Sequence, residues 1–552
     1  MTWLLALLPG VPALTALAAL GGRLPERAVV AGVMVTVLIG ATLAAFGAKP
    51  LDMEWLLLGT ALGLDPLARA LLAATVALWG AAAVAARPLF ADTTRGPRFA
   101  ICFLLTLAGN LGAIVALDAA SFYLAFAVMT FAAYGLVTHN ETGEARRAGR
   151  IYLTLAVFGE ALLLAGLFLL AARVGNPHTD AIVSAYGYLE RPALVGGLLL
   201  AGFAVKMGVV PVHVWLPLAH PAAPVPASAV LSGIIVKAGL LGWLRFVPAG
   251  LPELATPGNV LMIAGIAGAF SAALAGCFQD RAKTVLAYST VSQMGLLAML
   301  VGLLVAGHVQ PAVAVPAITV FAVHHALAKG ALFLSMDHLK AVGRRAALVT
   351  LLPTLAIIGA PMTSGLIAKG ALKGVAPDPL PLIITLTSVT TTVLLLRFLA
   401  VAWPRGPEPK GAIPADALLA WVALVALGLV LPWLIATPGH LEYAFQAGSL
   451  VDAVWPGLAG LAIAMAATRW WADRPTLAEG DLVIPAERAH AWITACTGHA
   501  MESVRPPSLP TIQQRIRSIS PRRLPAEPGI VCTGIILLAL LLVFPWLILS
   551  HG

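Results

Sequence analysis

The chain alternates between long apolar runs and short polar stretches over most of its length. A membrane-spanning helix needs about 20 mostly apolar residues, and roughly sixteen such runs can be marked. Their approximate limits are 2–20, 28–47, 64–86, 99–117, 119–138, 151–172, 193–211, 226–247, 258–277, 284–306, 313–336, 347–371, 381–403, 413–436, 449–468 and 529–549. This pattern predicts an all-α, polytopic transmembrane bundle with short loops, which begins with a membrane helix and not with a removed signal peptide.

Composition supports this interpretation. The chain has 552 residues, of which 60% are hydrophobic and 11% charged, whereas soluble domains carry about a quarter charged residues. Its four cysteines show no paired spacing, which argues against an iron–sulfur cluster, a zinc site or a disulfide framework. We also find no glycine-rich phosphate loop and no dinucleotide fingerprint. The sequence therefore predicts no cofactor and no metal in this chain.

The net charge of +9 is distributed unevenly between the loops. Loops that follow odd-numbered spans carry most of the Lys and Arg residues, and loops that follow even-numbered spans are nearly bare. The loop after span seven is the exception, because it has neither Lys nor Arg. Basic residues accumulate on the cytoplasmic side of membranes. We therefore expect a multi-pass protein of a bacterial-type plasma (inner) membrane, with its N-terminus outside, basic loops in the cytoplasm and no nucleic-acid partner.

Residues 470–528 differ from the rest of the chain because they are polar and rich in proline. Within them, residues 481–504 place apolar side chains at helix-like spacing, which predicts an amphipathic helix at the membrane surface. A disordered cytoplasmic loop is the alternative. A basic segment and the final span, 529–549, would follow.

Ionisable residues deep inside predicted spans are functional candidates by default. The set comprises Lys206, Lys237, Lys329, Lys369, Glu160, His324 and His325. The alternative is a structural ion pair or a side chain that reaches the interface from a helix end, which suits Arg69, Arg397 and Lys373 better. Removal from water makes the charged form of an ammonium group costly, so a buried lysine can gain and lose a proton as its surroundings change. Histidine, which titrates near neutral pH, would extend such a chain.

Two predicted spans are interrupted close to a lysine. In KMGVVPVHVWLPLAHPAAPVPASAVLSGIIVK, residues 206–237, Pro211 and Pro217 should break the helix. In IIGAPMTSGLIAKGALKG, residues 357–374, Gly359, Pro361 and Gly365 should do the same before Lys369. Interrupted helices are a recurring feature of transporters, and a separation of five spans would make the two halves inverted repeats. Ordinary proline kinks without symmetry are the alternative.

At these residues the sequence resembles the antiporter-like, proton-translocating membrane subunits shared by respiratory complex I, Mrp cation/proton antiporters and membrane-bound hydrogenases. The resemblance lies in residues 206–246, in QDRAKTVLAYSTVSQMG at 279–295, in HHALAKGALFL at 324–334 and in SGLIAK at 364–369. It covers roughly spans three to fourteen. It implies about fourteen core helices with two inverted five-helix repeats, broken helices seven and twelve, and extra C-terminal helices.

The resemblance also implies roles for individual residues. Lys206 matches the pumping lysine of the family's seventh helix, and Lys237 matches the connecting lysine of the eighth. His325 and Lys329 match a polar pair on the eleventh helix, and Lys369 matches the ionisable exit residue of the twelfth. His213, His220 and His324 are accessory candidates whose role could equally be structural.

One position departs from the family pattern. The fifth helix usually carries a glutamate that pairs with the lysine of the seventh, but the expected position here is Ala127. Glu160, on the next span, is the sole acid well inside a span. We predict that Glu160 replaces the missing partner of Lys206. The alternative is that this half has lost the standard coupling.

The resemblance divides the chain into six parts. These are N-terminal helices (1–98), a first antiporter-like half (99–247), a second half (258–403), C-terminal core helices (413–468), the connector (470–528) and a final span (529–549).

The implied function is proton translocation within a multisubunit membrane complex, with any redox chemistry left to partner subunits. The first hypothesis is that the chain is part of a complex I-like NADH-quinone oxidoreductase or a membrane-bound hydrogenase. The second hypothesis is a component of an Mrp-type sodium/proton antiporter, and the third is the membrane component of a proton-driven inorganic-carbon uptake system. A passive scaffold is disfavoured by the buried lysines. Co-purifying iron–sulfur subunits, small antiporter subunits or a soluble zinc protein would distinguish the first three.

Overall fold

The structure is a computed structural model that describes residues 1–22, 24–57, 59–174, 178–403, 413–472, 477 and 479–480. The predicted amphipathic helix at 481–504 and the final span at 529–549 lie outside these residues. Within them, thirteen helices are long and apolar enough to cross a membrane. The expected all-α transmembrane fold is confirmed, and each of the first fifteen predicted spans corresponds to a helix or to a pair of half-helices.

The first half of the described chain contains twelve helices, several of them short. They are α1 (Leu4–Gly21), α2 (Glu26–Phe46), α3 (Pro66–Ala85), α4 (Arg87–Ala91), α5 (Gly96–Val115), α6 (Ala119–Val137), α7 (Gly143–Val174), α8 (Thr179–Ser184), α9 (Pro192–Met207), α10 (Trp215–Ala222), α11 (Val225–Val230) and α12 (Lys237–Phe246). The sequence did not predict a small antiparallel hairpin between α2 and α3, formed by β1 (Leu51–Met53) and β2 (Thr60–Leu62). Leu51 pairs with Leu62 in this hairpin.

The remaining helices complete the bundle. They are α13 (Ala255–Cys277), α14 (Ala282–Val305), α15 (Pro311–Val342), α16 (Arg344–Ile358), α17 (Ser364–Val375), α18 (Leu380–Ala402), α19 (Ala415–Leu434), α20 (Pro438–Phe445) and α21 (Ala447–Ala472). The apolar stretch of α14 is fully buried, and the segment Val225–Phe246 is almost fully buried, whereas α1, α2, α19 and α21 lie mostly at the periphery. The centre of the bundle is therefore built around α11, α12 and α14.

The first predicted break lies between α9 and α10. Helix α9 ends at Gly208, whose positive φ of +70° is the left-handed conformation that glycine adopts readily. Pro211 lies in the unwound segment, as expected. The prediction that Pro217 also breaks the helix is wrong, because it is the third residue of α10. Amide groups in the first turn of a helix have no intrahelical acceptor, so a proline there removes no hydrogen bond.

The second predicted break lies between α16 and α17, again after a glycine. Gly359 has a φ of +93° and caps the C-terminus of α16. The prediction that Gly365 also interrupts the helix is wrong, because it is the second residue of α17. A Cβ atom at Gly365 would collide with the carbonyl oxygen of Ala356. The two half-helices therefore approach each other closely, and only glycine fits at the contact.

A third irregularity separates α11 from α12. Residues Leu231–Ile235 form a π-helical segment that ends two residues before Lys237. Such segments are rare and frequently occur at functional sites, because they redirect side chains and loosen the backbone hydrogen-bond ladder.

Two arginines inside predicted spans bind the C-terminal carbonyl groups of other helices. Arg245 is buried, with 5% of its side chain exposed, and donates to the carbonyl oxygens of Ala113, Ile114 and Ala116 and to Asp65 at 2.6–3.0 Å. Arg69 donates to the carbonyl oxygens of the α2 residues Ala44 and Ala45, both at 3.0 Å, on an exposed part of the surface. Both contacts are structural, and the interpretation of Arg69 as a helix-end side chain is consistent with its position.

These two caps generate a prediction about stability. Arg245→Met leaves three buried carbonyl groups without their donor, and each buried unsatisfied group costs about 1–3 kcal/mol. We expect a drop in the thermal unfolding midpoint of the detergent-solubilised protein that is clearly larger than for Arg69→Met, because water can replace the guanidinium group at Arg69. Equal drops for the two variants would contradict this interpretation of Arg245.

Candidate functional site

Lys206 lies in the last turn of α9, next to the first break, and is buried. Its ammonium group donates to the hydroxyl oxygen of Thr130 at 2.6 Å and lies 4.9 Å from the centre of the Phe126 ring and 5.9 Å from that of Tyr152. The C-terminal end of a helix and the face of an aromatic ring both stabilise a positive charge. The site can therefore hold an ammonium group without a bonded carboxylate.

Glu160, on α7, lies on the same small cavity as Lys206. The cavity has a volume of about 10 Å³, and Tyr152 and Trp215 also line it. This volume is close to the minimum that holds one water molecule. Only 5% of Glu160 is exposed, and neither carboxylate oxygen has a hydrogen-bond partner among the described residues. The structure thus brings the predicted acid and lysine to one cavity, although the lysine bonds to a hydroxyl group.

Thr130 was missed by sequence reasoning. It lies three residues after Ala127 on α6, which places it on the same face of that helix, one turn along. A threonine is not ionisable and therefore does not stand out in a search for charges. Its position, one turn beyond the expected glutamate, is the signal that could have identified it.

The tryptophan of the broken helix was also missed. The indole N–H of Trp215 donates to the carbonyl oxygen of Val205 at 2.8 Å, across the break between α9 and α10. Backbone carbonyl groups freed by a break must find a donor inside the membrane. Trp215 supplies that donor to Val205, the residue that precedes Lys206 in α9.

Lys237 and His325 meet at the centre of the bundle. The ammonium group of Lys237 lies 2.5 Å from Nδ1 of His325, on α15, and donates to the carbonyl oxygen of Ser232, in the π-helical segment, at 3.1 Å. Both side chains are fully buried or nearly so. An amine and an imidazole nitrogen in direct contact are groups that can share one proton, and here they join α12 to α15.

Lys329 lies one turn beyond His325 on α15 and is fully buried. Its ammonium group donates to the carbonyl oxygen of Leu286, on α14, at 3.0 Å. The residues that the resemblance assigns to one polar pair therefore have different partners in the structure.

Lys369 and His324 are both tied to the second break. The ammonium group of Lys369 donates to the carbonyl oxygen of Ile358, the last residue of α16, at 2.8 Å, and to the hydroxyl of Ser388 at 2.9 Å. Nδ1 of His324 lies 3.0 Å from the hydroxyl oxygen of Ser364, the first residue of α17. Lys369 thus caps a helix C-terminus, where a positive charge is favoured.

The accessory histidines lie on either side of the start of α10. His213 is buried in the first break, with its ring 6.4 Å from that of Tyr288. His220 is fully buried in α10 with its ring 4.7 Å from that of Phe333, and neither of its ring nitrogens has a hydrogen-bond partner among the described residues.

Several other buried polar atoms in the described core also lack a protein partner. They include the hydroxyl oxygen of Ser289, Oε1 of Gln293, Nε2 of His324 and Nε2 of His325. Buried polar groups are normally paired with protein or with ordered water. Together with Glu160 and His220, these atoms favour a hydrated polar layer through the middle of the bundle. Among the residues that the structure describes, no cluster of three or more His, Cys, Asp or Glu side chains could hold a metal ion.

The region of the chain that contains the buried lysines is similar in sequence to known membrane proteins. A family model described as "NADH:quinone oxidoreductase/Mrp antiporter, TM" matches residues 116–394, the region that contains both breaks and all the buried lysines discussed above. Hydrogenase-4 component B of Escherichia coli (strain K12) is 27% identical over 394 residues, which are 62% of this chain and 58% of that protein. A probable K(+)/H(+) antiporter component of Rhizobium meliloti (strain 1021) is 30% identical over 351 residues, 57% of this chain and 34% of that protein.

The fold also matches a solved structure. The Mrp complex from Dietzia sp. DQ12-45-1b contains a chain that aligns with a TM-score of 0.75 at 21% sequence identity, covering 94% of this chain and 61% of that one. The chain thus spans roughly a third to three fifths of the length of these similar proteins.

The contact between Lys237 and His325 generates a prediction. A double-mutant cycle with Lys237→Met and His325→Phe should be non-additive in thermal stability by about 1 kcal/mol or more, because side chains in direct contact are coupled. The control cycle pairs Lys237→Met with His220→Phe, which share no contact, and should be additive within about 0.5 kcal/mol. An additive first cycle would show that the amine and the imidazole do not interact.

Proposed function

Since the chain belongs to the NADH:quinone oxidoreductase/Mrp antiporter transmembrane family, we propose that it translocates protons as one subunit of a larger membrane complex. The contact between Lys237 and His325 at 2.5 Å carries this proposal. It joins α12, which begins after the π-helical segment, to α15. A purely structural lysine would pair with an acid or reach the membrane surface.

The proposed path runs between the two breaks. A proton enters near Glu160 and Lys206, passes by Lys237 and His325 at the centre, and continues by Lys329 to Lys369. The small cavity at Glu160 and the unpartnered polar atoms of the core would hold the water that connects these groups. Each buried lysine here binds a neutral acceptor, so its proton is not held by an ion pair.

Electrostatics couples neighbouring steps along this path. Two unit charges about 4 Å apart interact by about 4 kcal/mol at an effective dielectric constant of about 20, which changes a protonation equilibrium by nearly a thousandfold. A negative charge on Glu160 stabilises the ammonium form of Lys206. Neutralising Glu160, or moving it away, therefore favours release of the Lys206 proton towards the centre.

The assembly that we propose first is a redox-linked one, a complex I-like NADH-quinone oxidoreductase or a membrane-bound hydrogenase, because the similar Escherichia coli protein is named a hydrogenase component. The second candidate is a cation/proton antiporter of the Mrp type, which the similarity to the Rhizobium meliloti antiporter component supports. A proton-driven inorganic-carbon uptake system is the third. We expect an N-terminus outside a bacterial-type inner membrane in each case.

The proposed path predicts an effect of removing Lys206. Lys206→Ala removes the ammonium group at the first break, so proton flux in membrane vesicles that contain the full complex should fall by about tenfold or more. Lys340→Ala is a matched control, because Lys340 is an exposed lysine at the end of α15. The flux is read with a pH-sensitive dye. Undiminished flux with Lys206→Ala would contradict the mechanism.

The proposed path also predicts effects of changing Glu160 and Thr130, the two polar residues next to Lys206. Glu160→Gln and Thr130→Val should each lower proton flux. The first removes the one acid among the described residues that line the cavity, and the second removes the hydroxyl acceptor of the ammonium group. Thr130→Ser keeps that hydroxyl and should retain most of the flux, and Glu190→Gln, at an exposed loop acid, should change nothing. Full flux with Glu160→Gln would mean that Glu160 does not replace the missing acid and that this half lacks the standard coupling.

A further inference from the structure

A second small cavity lies beside Lys369. Its volume is about 20 Å³, enough for about one water molecule. Besides Lys369, the polar residues on its wall are Lys373, Ser388, Tyr443, Ser449 and Asp452. The cavity therefore joins α17 and α18 to the C-terminal helices α20 and α21, which the path described so far does not use.

Lys373 and Asp452 form an ion pair at this cavity, with 3.5 Å between Nζ and the carboxylate oxygen. Lys373 is four residues after Lys369 and on the same face of α17. Its side chain is 8% exposed, whereas that of Asp452 is 45% exposed. The pair thus connects the buried lysine to the surface, with the lysine on the inner side and the carboxylate at the boundary.

Tyr443 covers the neighbouring surface of α17. A Cβ atom at Gly370 would lie 3.2 Å from Cδ1 of its ring, and one at Gly374 would lie 3.9 Å from Cδ2. The ring therefore packs directly on a glycine face next to Lys373. Of the three charged residues on the cavity wall, Lys369, Lys373 and Asp452, the carboxylate is the most exposed. A half-exposed acid that lines the same cavity as a buried lysine is placed to exchange protons with solvent.

We propose that Asp452, held by Lys373, is the proton-release site of this chain. The inference rests on the proposed function. A proton leaves the ammonium group of Lys369 and passes through water in the cavity to the Asp452 carboxylate. The resulting neutral acid then gives the proton to solvent, which restores the carboxylate and leaves Lys369 uncharged. The positive charge of Lys373 favours release from Lys369 and keeps Asp452 ionised between transfers.

The test compares two ways of breaking the ion pair. In vesicles that contain the full complex, Asp452→Asn should lower proton flux about fivefold or more. Lys373→Met leaves the carboxylate in place and should retain more flux than Asp452→Asn. Asp452→Glu keeps a carboxylate and should restore most of the flux. Glu442→Gln is the matched control, because Glu442 is an exposed acid on α20 that does not line the cavity.

The outcomes separate this proposal from the one on which it rests. Full flux with Asp452→Asn would overturn the release site. Equal losses of flux with Asp452→Asn and Lys373→Met would also overturn it, because the ion pair would then have only a structural role. Protein levels and thermal midpoints of all variants are measured alongside. If Lys206→Ala abolishes flux while Asp452→Asn does not, only the release site fails. If Lys206→Ala also leaves the flux unchanged, the proposed function itself fails.

Discussion

The cost of a positive charge inside a bilayer is the constraint on which the rest of this structure depends. A buried ammonium group needs acceptors, and a carboxylate would fix its proton in place. The lysines of the proposed path instead bind neutral oxygen or nitrogen atoms. The acceptors are the Thr130 hydroxyl for Lys206, the Ser232 carbonyl and His325 for Lys237, the Leu286 carbonyl for Lys329, and the Ile358 carbonyl and Ser388 hydroxyl for Lys369.

The irregular helices of the fold supply or satisfy several of these acceptors. An intact α-helix uses nearly all its carbonyl groups internally, so a carbonyl at a helix end or in a deformed turn is more readily available to a lysine. The Leu286 carbonyl, which lies inside α14, is the exception. The break after α16 exposes the Ile358 carbonyl to Lys369, and the π-helical segment contains the Ser232 carbonyl that binds Lys237. At the first break the Val205 carbonyl accepts from the backbone N–H of Gly208 and from the indole of Trp215, and Lys206 donates to a side-chain hydroxyl. The break after α16 and the π-helical segment therefore provide carbonyl acceptors that stabilise buried lysines, in addition to shaping the fold.

Most of the fold could be predicted from the sequence, because apolar runs of membrane length are a strong signal, and the family resemblance is confirmed. Both breaks were also predicted from glycine and proline, although Pro217 does not contribute because it lies in a first turn. The hydroxyl groups of Ser364 and Ser388 could not be predicted, because a serine or threonine in a membrane helix usually bonds to its own backbone. Lys373 was interpreted either as part of a structural ion pair or as a side chain reaching the interface. Its partner, Asp452, lies nearly eighty positions away in the sequence and has no local signal.

The central claim is that the buried lysines and histidines form one hydrated path between the two breaks. An electron cryo-microscopy map of the complete membrane complex, at a resolution that shows ordered water, tests it most directly. We predict water molecules within hydrogen-bond distance of Glu160, of the free ring nitrogens of His220, His324 and His325, and between Lys329 and Lys369. A dry core, in which apolar side chains separate these groups and no chain of water joins them, would contradict the proposed path.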